Sequence, residues 1–267
     1  MSTVSQSRLT RDLGLVAWQI RYEQRAYWRN RGRGIFTFAF PIMFLVIFAS
    51  LDRGQTVSTR GGIPYNDFFV PGILAYGVIA VTFVNLSIGT AILRDQGVLK
   101  RMQGTPLPRW AYIAARIGST CVIMLAMTVV VLGLGAAVWG LDFRSGALPG
   151  LIVTLLLGTA AFTTLGIGIT RFIPNAEAAP VVVNLLILPL TFISNIWFPI
   201  DQLPDVLKTI AGIFPIKALA DGLQYVFDPR NHGAGVNAQD IKVLAIWTAV
   251  GIFLMLRFLQ QPQGDVG

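Results

Sequence analysis

Charged residues are scarce in this chain of 267 residues: Asp, Glu, Lys and Arg make up 13% of it, against 54% hydrophobic residues. A soluble domain carries about 25% charged residues, and a smaller fraction cannot cover the surface of a soluble fold. The mean hydropathy is +0.64, and long apolar runs without charge are typical of membrane spans. The scarcity of charge therefore predicts an integral membrane protein.

The chain also lacks the reagents of most enzymes. It has one histidine, His232, and one cysteine, Cys121, so it offers neither a histidine pair for a metal ion nor a Cys-x-x-Cys motif. No lysine follows a glycine, which excludes the glycine-rich loop that holds the phosphates of ATP. We expect no catalytic residue, no metal site and no cofactor in this chain, and we expect His232 to lie in a solvated loop.

Charge is absent from the interiors of the apolar runs as well. Proton- or sodium-coupled carriers place ionisable groups near the middle of the membrane, and this sequence does not. The polar side chains inside the runs are amides and hydroxyls. Three of the amides, Asn85, Asn184 and Asn195, are candidates for a transport pathway, and hydrogen bonding between helices is the alternative. The pattern favours a pathway former that takes its energy from a partner.

Six runs predict an all-α membrane protein with a transmembrane domain at 35–259. Each run is about long enough for a hydrocarbon core of about 30 Å, although the last is short. The predicted spans are 35–51, 68–93, 117–141, 145–170, 178–200 and 241–259.

The 21 Lys and Arg residues are distributed unevenly, with about twice as many on the side that holds the N-terminal segment. Cytoplasmic loops are enriched in these residues, so we expect a multi-pass protein of the cell membrane. Both termini, including the tail at 260–267, would then be cytoplasmic. The same rule accounts for the net charge of +8, so we expect no binding of nucleic acid.

The first 34 residues have an amphipathic pattern, in which apolar residues recur near helical spacing among arginines and aromatic residues. The pattern predicts a helix in the cytoplasmic membrane interface, and a soluble cap that only sets the topology is the alternative. The residues that define the helix are Leu13, Val16, Ile20, Arg21 and Arg25.

The connection at 94–116 contains a short segment of apolar residues among cations, which Gly104 and Pro106 bring to an end. A short helix of this kind suits docking into a groove of a soluble partner, and a solvated loop is the alternative. We call this the coupling segment; its residues are Gly97, Val98, Leu99, Lys100, Arg101 and Met102.

The stretch after the fifth span is broken by prolines into apolar pieces that are too short to cross a bilayer. Pieces of about 10–14 residues are typical of re-entrant or interfacial helices, and we assign 201–223 to an outer re-entrant segment. An external loop that packs on the bundle is the alternative. The residues assigned to this outer gate are Phe198, Pro199, Phe214, Pro215 and Lys217.

Three blocks of the sequence, at 65–74, 94–116 and 198–223, together resemble the membrane (permease) subunits of type-2 ABC exporters, which include multidrug and daunorubicin exporters. Two positions depart from the family pattern. Arg94-Asp95-Gln96 stands where the family often has Glu-Arg-Glu, and the family often has an arginine near Gln224.

The resemblance implies an interface helix at about 8–29, a coupling helix at 97–102 and re-entrant outer helices across 201–223. It also implies partners: two copies of a separate ABC ATPase subunit, which bind ATP and magnesium, and a second permease, identical or paralogous. The proteins would assemble among membrane lipids.

The resulting interpretation is a permease that exports hydrophobic drugs or lipid-like compounds, and multidrug efflux with antibiotic resistance would follow. Two alternatives stay open. The first is export of a polysaccharide or a lipid-linked cell-wall precursor, although Trp139, Trp197 and Trp247 are scattered too widely in the sequence to predict a platform for sugar rings. The second is a membrane anchor that recruits a partner enzyme and transports nothing.

Overall fold

A computed structural model describes residues 2–51, 56–57, 62–98, 101, 109–141 and 143–259, and most of these residues are helical. A short antiparallel pair of strands, β1 (Thr56–Val57) and β2 (Ile63–Pro64), precedes the third helix. The helices are α1 (Ser2–Arg29), α2 (Arg31–Leu51), α3 (Tyr65–Ile79), α4 (Asn85–Asp95), α5 (Arg109–Trp139), α6 (Leu148–Ile169), α7 (Ala179–Phe192), α8 (Asp205–Ile213), α9 (Pro215–Phe227) and α10 (Ala238–Leu259).

Within these ranges, four helical stretches are long and apolar enough to cross a membrane. A fifth results if α1 and α2, which are bent by 69° relative to each other, count as one span. The predicted helical membrane protein is therefore confirmed, whereas the count of six spans stays a prediction. The four stretches are Tyr65–Asp95, Trp110–Trp139, Ser145–Phe172 and Ala238–Phe258.

Two helices differ in extent from the predicted spans. The helix in the fifth region, α7, has 14 residues and ends at Phe192, because Asn195 adopts a left-handed backbone conformation with φ 59° that a regular helix cannot continue. Conversely, α5 begins at Arg109 rather than at 117. Its first turns bury Ala111 and Ala115, so this part of the 94–116 connection is a packed helix.

Apolar side chains lie on both the inside and the outside of the bundle. Phe68 and Phe69 of α3 and Phe162 of α6 are fully or almost fully buried. On the outer surface, Val129 of α5 and Leu185 of α7 are more than two-thirds exposed. Such a surface fits contact with lipid, because hydrocarbon does not penalise exposed apolar side chains as water does.

The most extensive contact between helices joins α6 and α10. Gly251 of α10 lies so close to α6 that a Cβ atom on it would overlap the Thr164 hydroxyl. On the opposite helix, a Cβ on Gly168 would come within 2.6 Å of the Leu254 Cβ. Small residues of this kind let helix backbones approach each other in an apolar environment, and here the approach occurs within one chain.

Replacement of Gly251 by alanine should therefore destabilise the bundle by about 1–3 kcal/mol, since the new methyl group has no room. Gly133 provides the matched control, because it lies on α5 with no heavy atom within 4 Å of the place of its Cβ. Gly133→Ala should be neutral or stabilising by up to about 1 kcal/mol. Thermal unfolding in one detergent compares the two variants, and equal shifts would contradict the tight α6–α10 contact.

Candidate functional site

A cavity of about 420 Å³ lies where α1, the end of α4 and the beginning of α5 meet. Its wall combines apolar groups, such as Leu86 and Ile123, with the polar groups of Asn85, Glu23 and Arg116. Apolar and polar groups contribute comparably to this wall, whereas pockets for small molecules usually have a predominantly apolar wall with a few polar groups that fix orientation.

The two charged groups of the cavity face each other across α1 and α5. The nearest nitrogen of Arg116 is 4.0 Å from a carboxylate oxygen of Glu23, and the two side chains are 12% and 20% exposed. Arg116 also donates a hydrogen bond of 3.2 Å to the Tyr112 hydroxyl. Opposite charges at this distance attract each other. The distance is nevertheless longer than in the bidentate hydrogen-bonded pair that arginine can form with a carboxylate.

A π-helical turn at Ala80–Val84 forms one side of the cavity. It joins α3 to α4 without a break, and it sets the direction of Val81 and Asn85, which both line the cavity. The Ser87 hydroxyl stabilises the turn by donating to the carbonyl oxygens of Phe83, at 2.7 Å, and Gly166, at 2.8 Å. The sequence gives no sign of this turn, since residues 80–84 contain neither proline nor glycine. π-Turns inside helices are frequent at functional sites.

Helix α1 packs one face against α5. The Gln24 amide donates to the backbone oxygen of Ser119, at 2.7 Å, and to its hydroxyl, at 2.9 Å. Ile20 covers Gly118, and Val16 is half-buried on the same side. These contacts fix α1 as one wall of the cavity.

An exposed face of α1 carries the arginines Arg21 and Arg25, and it borders the cavity at Tyr22. Trp18 and Tyr22 stack on each other on this face, with ring centroids 6.0 Å apart. Cations beside amphipathic rings are the composition expected of a helix at the surface of a membrane. The placement in the interface stays a prediction, and the side chain of Leu13 lies outside the described residues.

The coupling segment begins directly after α4. Gly97 has φ +66°, a conformation that favours glycine, and it turns the chain away from the helix axis. Val98 then lines the cavity, and the amide of Arg101 donates to the Gly97 carbonyl at 3.1 Å. Leu99, Lys100 and Met102 lie outside the described residues, so a helix at 97–102 stays a prediction.

The last turn of α4 is bonded to the connection between α6 and α7. Arg94 donates to the carbonyl oxygens of Thr170, at 2.6 Å, Ile173, at 2.5 Å, and Pro174, at 3.2 Å. Asp95 accepts a hydrogen bond of 3.2 Å from the Ala176 amide. We call Arg94 and Asp95 the α4 clamp. Sequence reasoning missed it, although a basic residue directly after a predicted span was a signal.

The three candidate asparagines of the pathway lie apart. Asn85 lines the cavity, whereas Asn184 is exposed on α7. Asn195 is 3% exposed; its side chain donates to Asp221 at 2.7 Å and accepts from the Ile200 amide at 2.9 Å. Gln224 of α9 donates to the Asn195 carbonyl at 2.7 Å. All of these contacts of Asn195 lie within the bundle, and the assignment of the three asparagines to a transport pathway stays a prediction.

The residues assigned to the outer gate surround two short helices, α8 and α9, that meet at Phe214-Pro215. Phe214 stacks on Trp247 of α10 with ring centroids 5.9 Å apart, and Pro215 is buried in the first turn of α9. Lys217 forms an ion pair of 2.5 Å with Asp221. Phe198 is half exposed and stacks on Phe192, and Pro199 directly precedes the 3₁₀ turn Ile200–Gln202.

Across the parts of the chain that the structure describes, no three His, Cys, Asp or Glu side chains are placed to hold a metal ion together. His232 is exposed near Arg144, whose guanidinium lies 3.3 Å from the ring nitrogen Nδ1. The described site thus consists of an amphipathic cavity, a π-turn that borders it and a clamp that joins the end of α4 to the connection between α6 and α7.

A bundle whose helices are long and apolar enough to cross a bilayer is typical of an integral membrane protein. The sequence profile of the family described as ABC-2 type transporter matches residues 15–227. The chain belongs to this family, and its relatives include proteins named as transport permeases.

Curated relatives come from several bacteria. The inner membrane transport permease YadH of Escherichia coli (strain K12) is 20% identical over 217 residues, which are 81% of this chain and 80% of that protein. Nodulation protein J of Rhizobium leguminosarum bv. trifolii is 27% identical and is matched over 78% of each chain. The putative transport permease YvfS of Bacillus subtilis (strain 168) is 24% identical over 75% of this chain and 80% of its own.

The contacts of Asn195 predict that Asn195→Ala destabilises the protein strongly, by about 2–4 kcal/mol, because buried partners lose their hydrogen bonds. Asn195→Ala has two effects: it removes the side-chain hydrogen bonds, and it places alanine in a left-handed backbone conformation. Asn195→Gly separates these effects, since glycine adopts the left-handed conformation freely and loses only the side chain. Asn184→Ala is the control for loss of an amide and should change stability by less than about 0.5 kcal/mol. Thermal unfolding in detergent measures all three, and similar values for Asn195→Ala and Asn184→Ala would contradict the structural role of Asn195.

Proposed function

We propose that this chain is the permease subunit of an ATP-driven exporter that moves hydrophobic drugs or lipid-like compounds out of the cell. Two copies of a separate ABC ATPase would bind ATP and magnesium, and a second permease, identical or paralogous, would complete the pathway. The observation that carries the proposal is the shared wall of the cavity, in which Val98 of the coupling segment and Asn85 of the candidate pathway both take part.

This shared wall supplies a physical link between ATP hydrolysis and transport. Closure of the ATPase subunits would push on residues 97–102, and Val98 cannot move without changing the shape of the cavity that it lines. Packed helices respond to such a push by shifting between discrete arrangements rather than by deforming continuously. The cavity would thereby alternate between an arrangement open to the inner leaflet and one open to the outside.

The composition of the cavity favours amphiphilic substrates. Val81, Leu86 and Leu93 offer apolar surface, while Glu23 and Arg116 offer one charge of each sign. Compounds that partition into the inner leaflet would reach the cavity beside α1, the predicted interface helix. On the opposite side of the membrane, α8 and α9 would form the re-entrant outer gate, and both termini would lie in the cytoplasm.

Export of a polysaccharide or a lipid-linked precursor is the alternative within the family. A pathway for sugar rings would be expected to expose aromatic platforms. Trp197 is 5% exposed, with its ring centroid 4.8 Å from that of Phe44, and Trp247 stacks on Phe214. These tryptophans are engaged with different neighbours, which favours hydrophobic substrates for this chain.

A charge in the coupling segment should uncouple the complex. Val98→Asp would place a carboxylate in the cavity wall, and Arg101→Glu would reverse an exposed charge beside it. We expect loss of substrate-stimulated ATP hydrolysis by about tenfold or more, which corresponds to about 1.4 kcal/mol of coupling.

Val206→Asp is the matched control for this prediction, because Val206 is an apolar residue of α8 that is 69% exposed. Co-purification with the ATPase and ATP hydrolysis in proteoliposomes are the measurements. Unchanged stimulation in both coupling variants would favour the remaining alternative, an anchor that transports nothing.

A bulky side chain in the cavity should impair transport without affecting assembly. Ala26 lines the cavity from the surface of α1, so Ala26→Trp should lower the uptake of a fluorescent amphiphile by inverted vesicles by about tenfold. Ala17 is exposed on the same helix, and it does not line the cavity, so Ala17→Trp should leave uptake near the wild-type rate. Equal uptake by the two variants would exclude the cavity from the pathway.

A further inference from the structure

The α4 clamp joins two parts of the chain that are distant in sequence. Arg94 and Asp95 lie at the end of α4, while their partners lie in the segment Thr170–Ala176 between α6 and α7. The two residues act in complementary ways, since the guanidinium donates to three carbonyl oxygens and the neighbouring carboxylate accepts from an amide. The segment is thus held through its backbone.

The acceptors of Arg94 lie at and just beyond the end of α6. The Thr170 carbonyl, in the 3₁₀ turn Thr170–Phe172 that follows α6, also accepts from the Ile173 amide at 3.3 Å, and the Ile173 and Pro174 carbonyl oxygens follow this turn. A cation at a helix C-terminus satisfies such oxygens and interacts favourably with the helix dipole. Lysine offers a single ammonium group in place of the planar fork, so it cannot reproduce three bonds in two directions.

The clamp is close to the coupling segment in the chain. Gly97 follows Asp95 after one residue, and the amide of Gly97 donates to the Arg94 carbonyl at 3.0 Å. A movement of the coupling segment therefore acts directly on the last turn of α4. The hydrogen bonds of the clamp join this turn to the connection that precedes α7. The outward face of α7 is exposed.

We propose that Arg94 and Asp95 are positioning residues that transmit the movement of the coupling segment to the connection between α6 and α7. This role rests on the proposed function, since it presupposes a partner that moves the segment. The clamp would make the end of α4 and the start of α7 move together, while the close α6–α10 contact stays in place. Without the clamp, the ATPase would move the end of α4 alone.

The test compares variants of the full complex in proteoliposomes by the number of molecules of a fluorescent amphiphile transported per ATP hydrolysed. Arg94→Lys keeps the charge and loses the fork, and Arg94→Gln loses both; we expect each to lower this ratio by roughly tenfold while ATPase binding stays intact. Asp95→Asn keeps the shape and should lower the ratio by about twofold to threefold. These sizes correspond to the loss of one or two charge-assisted hydrogen bonds.

Arg171 supplies the matched control. It lies in the 3₁₀ turn that the clamp holds, and it is exposed, so Arg171→Gln removes a positive charge from the same place and should leave the ratio unchanged. Glu177, also exposed in this connection, provides a second control as Glu177→Gln. A fall of the ratio in the clamp variants but not in these controls would support the clamp.

A separate measurement examines the clamp without the ATPase. Hydrogen exchange of the backbone amides at 173–178 in the purified permease should be faster by about tenfold or more in Asp95→Asn and Arg94→Lys than in the wild type. If Arg94→Gln fails to fold, these two milder variants carry the test.

The outcomes separate the two proposals. A wild-type complex that transports, with variants whose transport and ATP hydrolysis fall in proportion, would overturn the clamp as a transmission element and leave it a structural cap. A wild-type complex that hydrolyses ATP without any transport would overturn the proposed function, and the coupling role of the clamp with it. Unchanged hydrogen exchange in all clamp variants would show that the contact is absent in solution.

Discussion

Backbone polar groups in an apolar bundle must find their hydrogen-bond partners inside the protein, because hydrocarbon offers none. Regular helices meet this requirement by themselves, so the side chains that matter most lie where a helix is interrupted. Ser87 stabilises the π-turn at 80–84, Gln224 and Asn195 hold the chain beyond α7, and Arg94 holds the chain beyond α6. Polar side chains are few in this protein, and several of them are placed at these interruptions.

The same requirement explains why a bundle with few charges can still have a defined architecture. Hydrophobic burial alone does not distinguish one apolar neighbour from another when lipid is equally apolar. The close α6–α10 contact uses steric fit, since Gly251 and Gly168 leave no room for a larger side chain. Steric fit between helices and hydrogen bonding at the helix interruptions together select one arrangement of the helices. This arrangement leaves room for the cavity beside α1.

The sequence predicted the features that repeat along the chain and missed those that depend on contacts between distant segments. Apolar runs identified the membrane protein, and the amphipathic pattern of the first 34 residues predicted a helix where α1 lies. The end of α7 at Phe192 was not predicted, because the run of apolar residues continues through Trp197 while the backbone turns at Asn195. The polarity of Asn195 makes it a candidate for the pathway, but the sequence gives no sign of its hydrogen-bond partners on α9, which are distant in sequence.

The cavity and the clamp escaped prediction for a related reason, since the cavity combines residues of several separate segments and the clamp joins two segments that are 76 to 81 residues apart in the sequence. Their common element is the end of α4: Leu93 lines the cavity, Arg94 and Asp95 hold the connection between α6 and α7, and Gly97 begins the coupling segment. Because these residues share one helical turn and the residues next to it, a displacement of the turn acts on all three places at once. Movement then need not be transmitted through a long chain of contacts. The cavity wall and the connection between α6 and α7 both contact the end of α4, next to the segment on which a partner would push. This arrangement requires a stiff turn, and the Arg94 contacts with three carbonyl oxygens of the connection beyond α6 stiffen the last turn of α4.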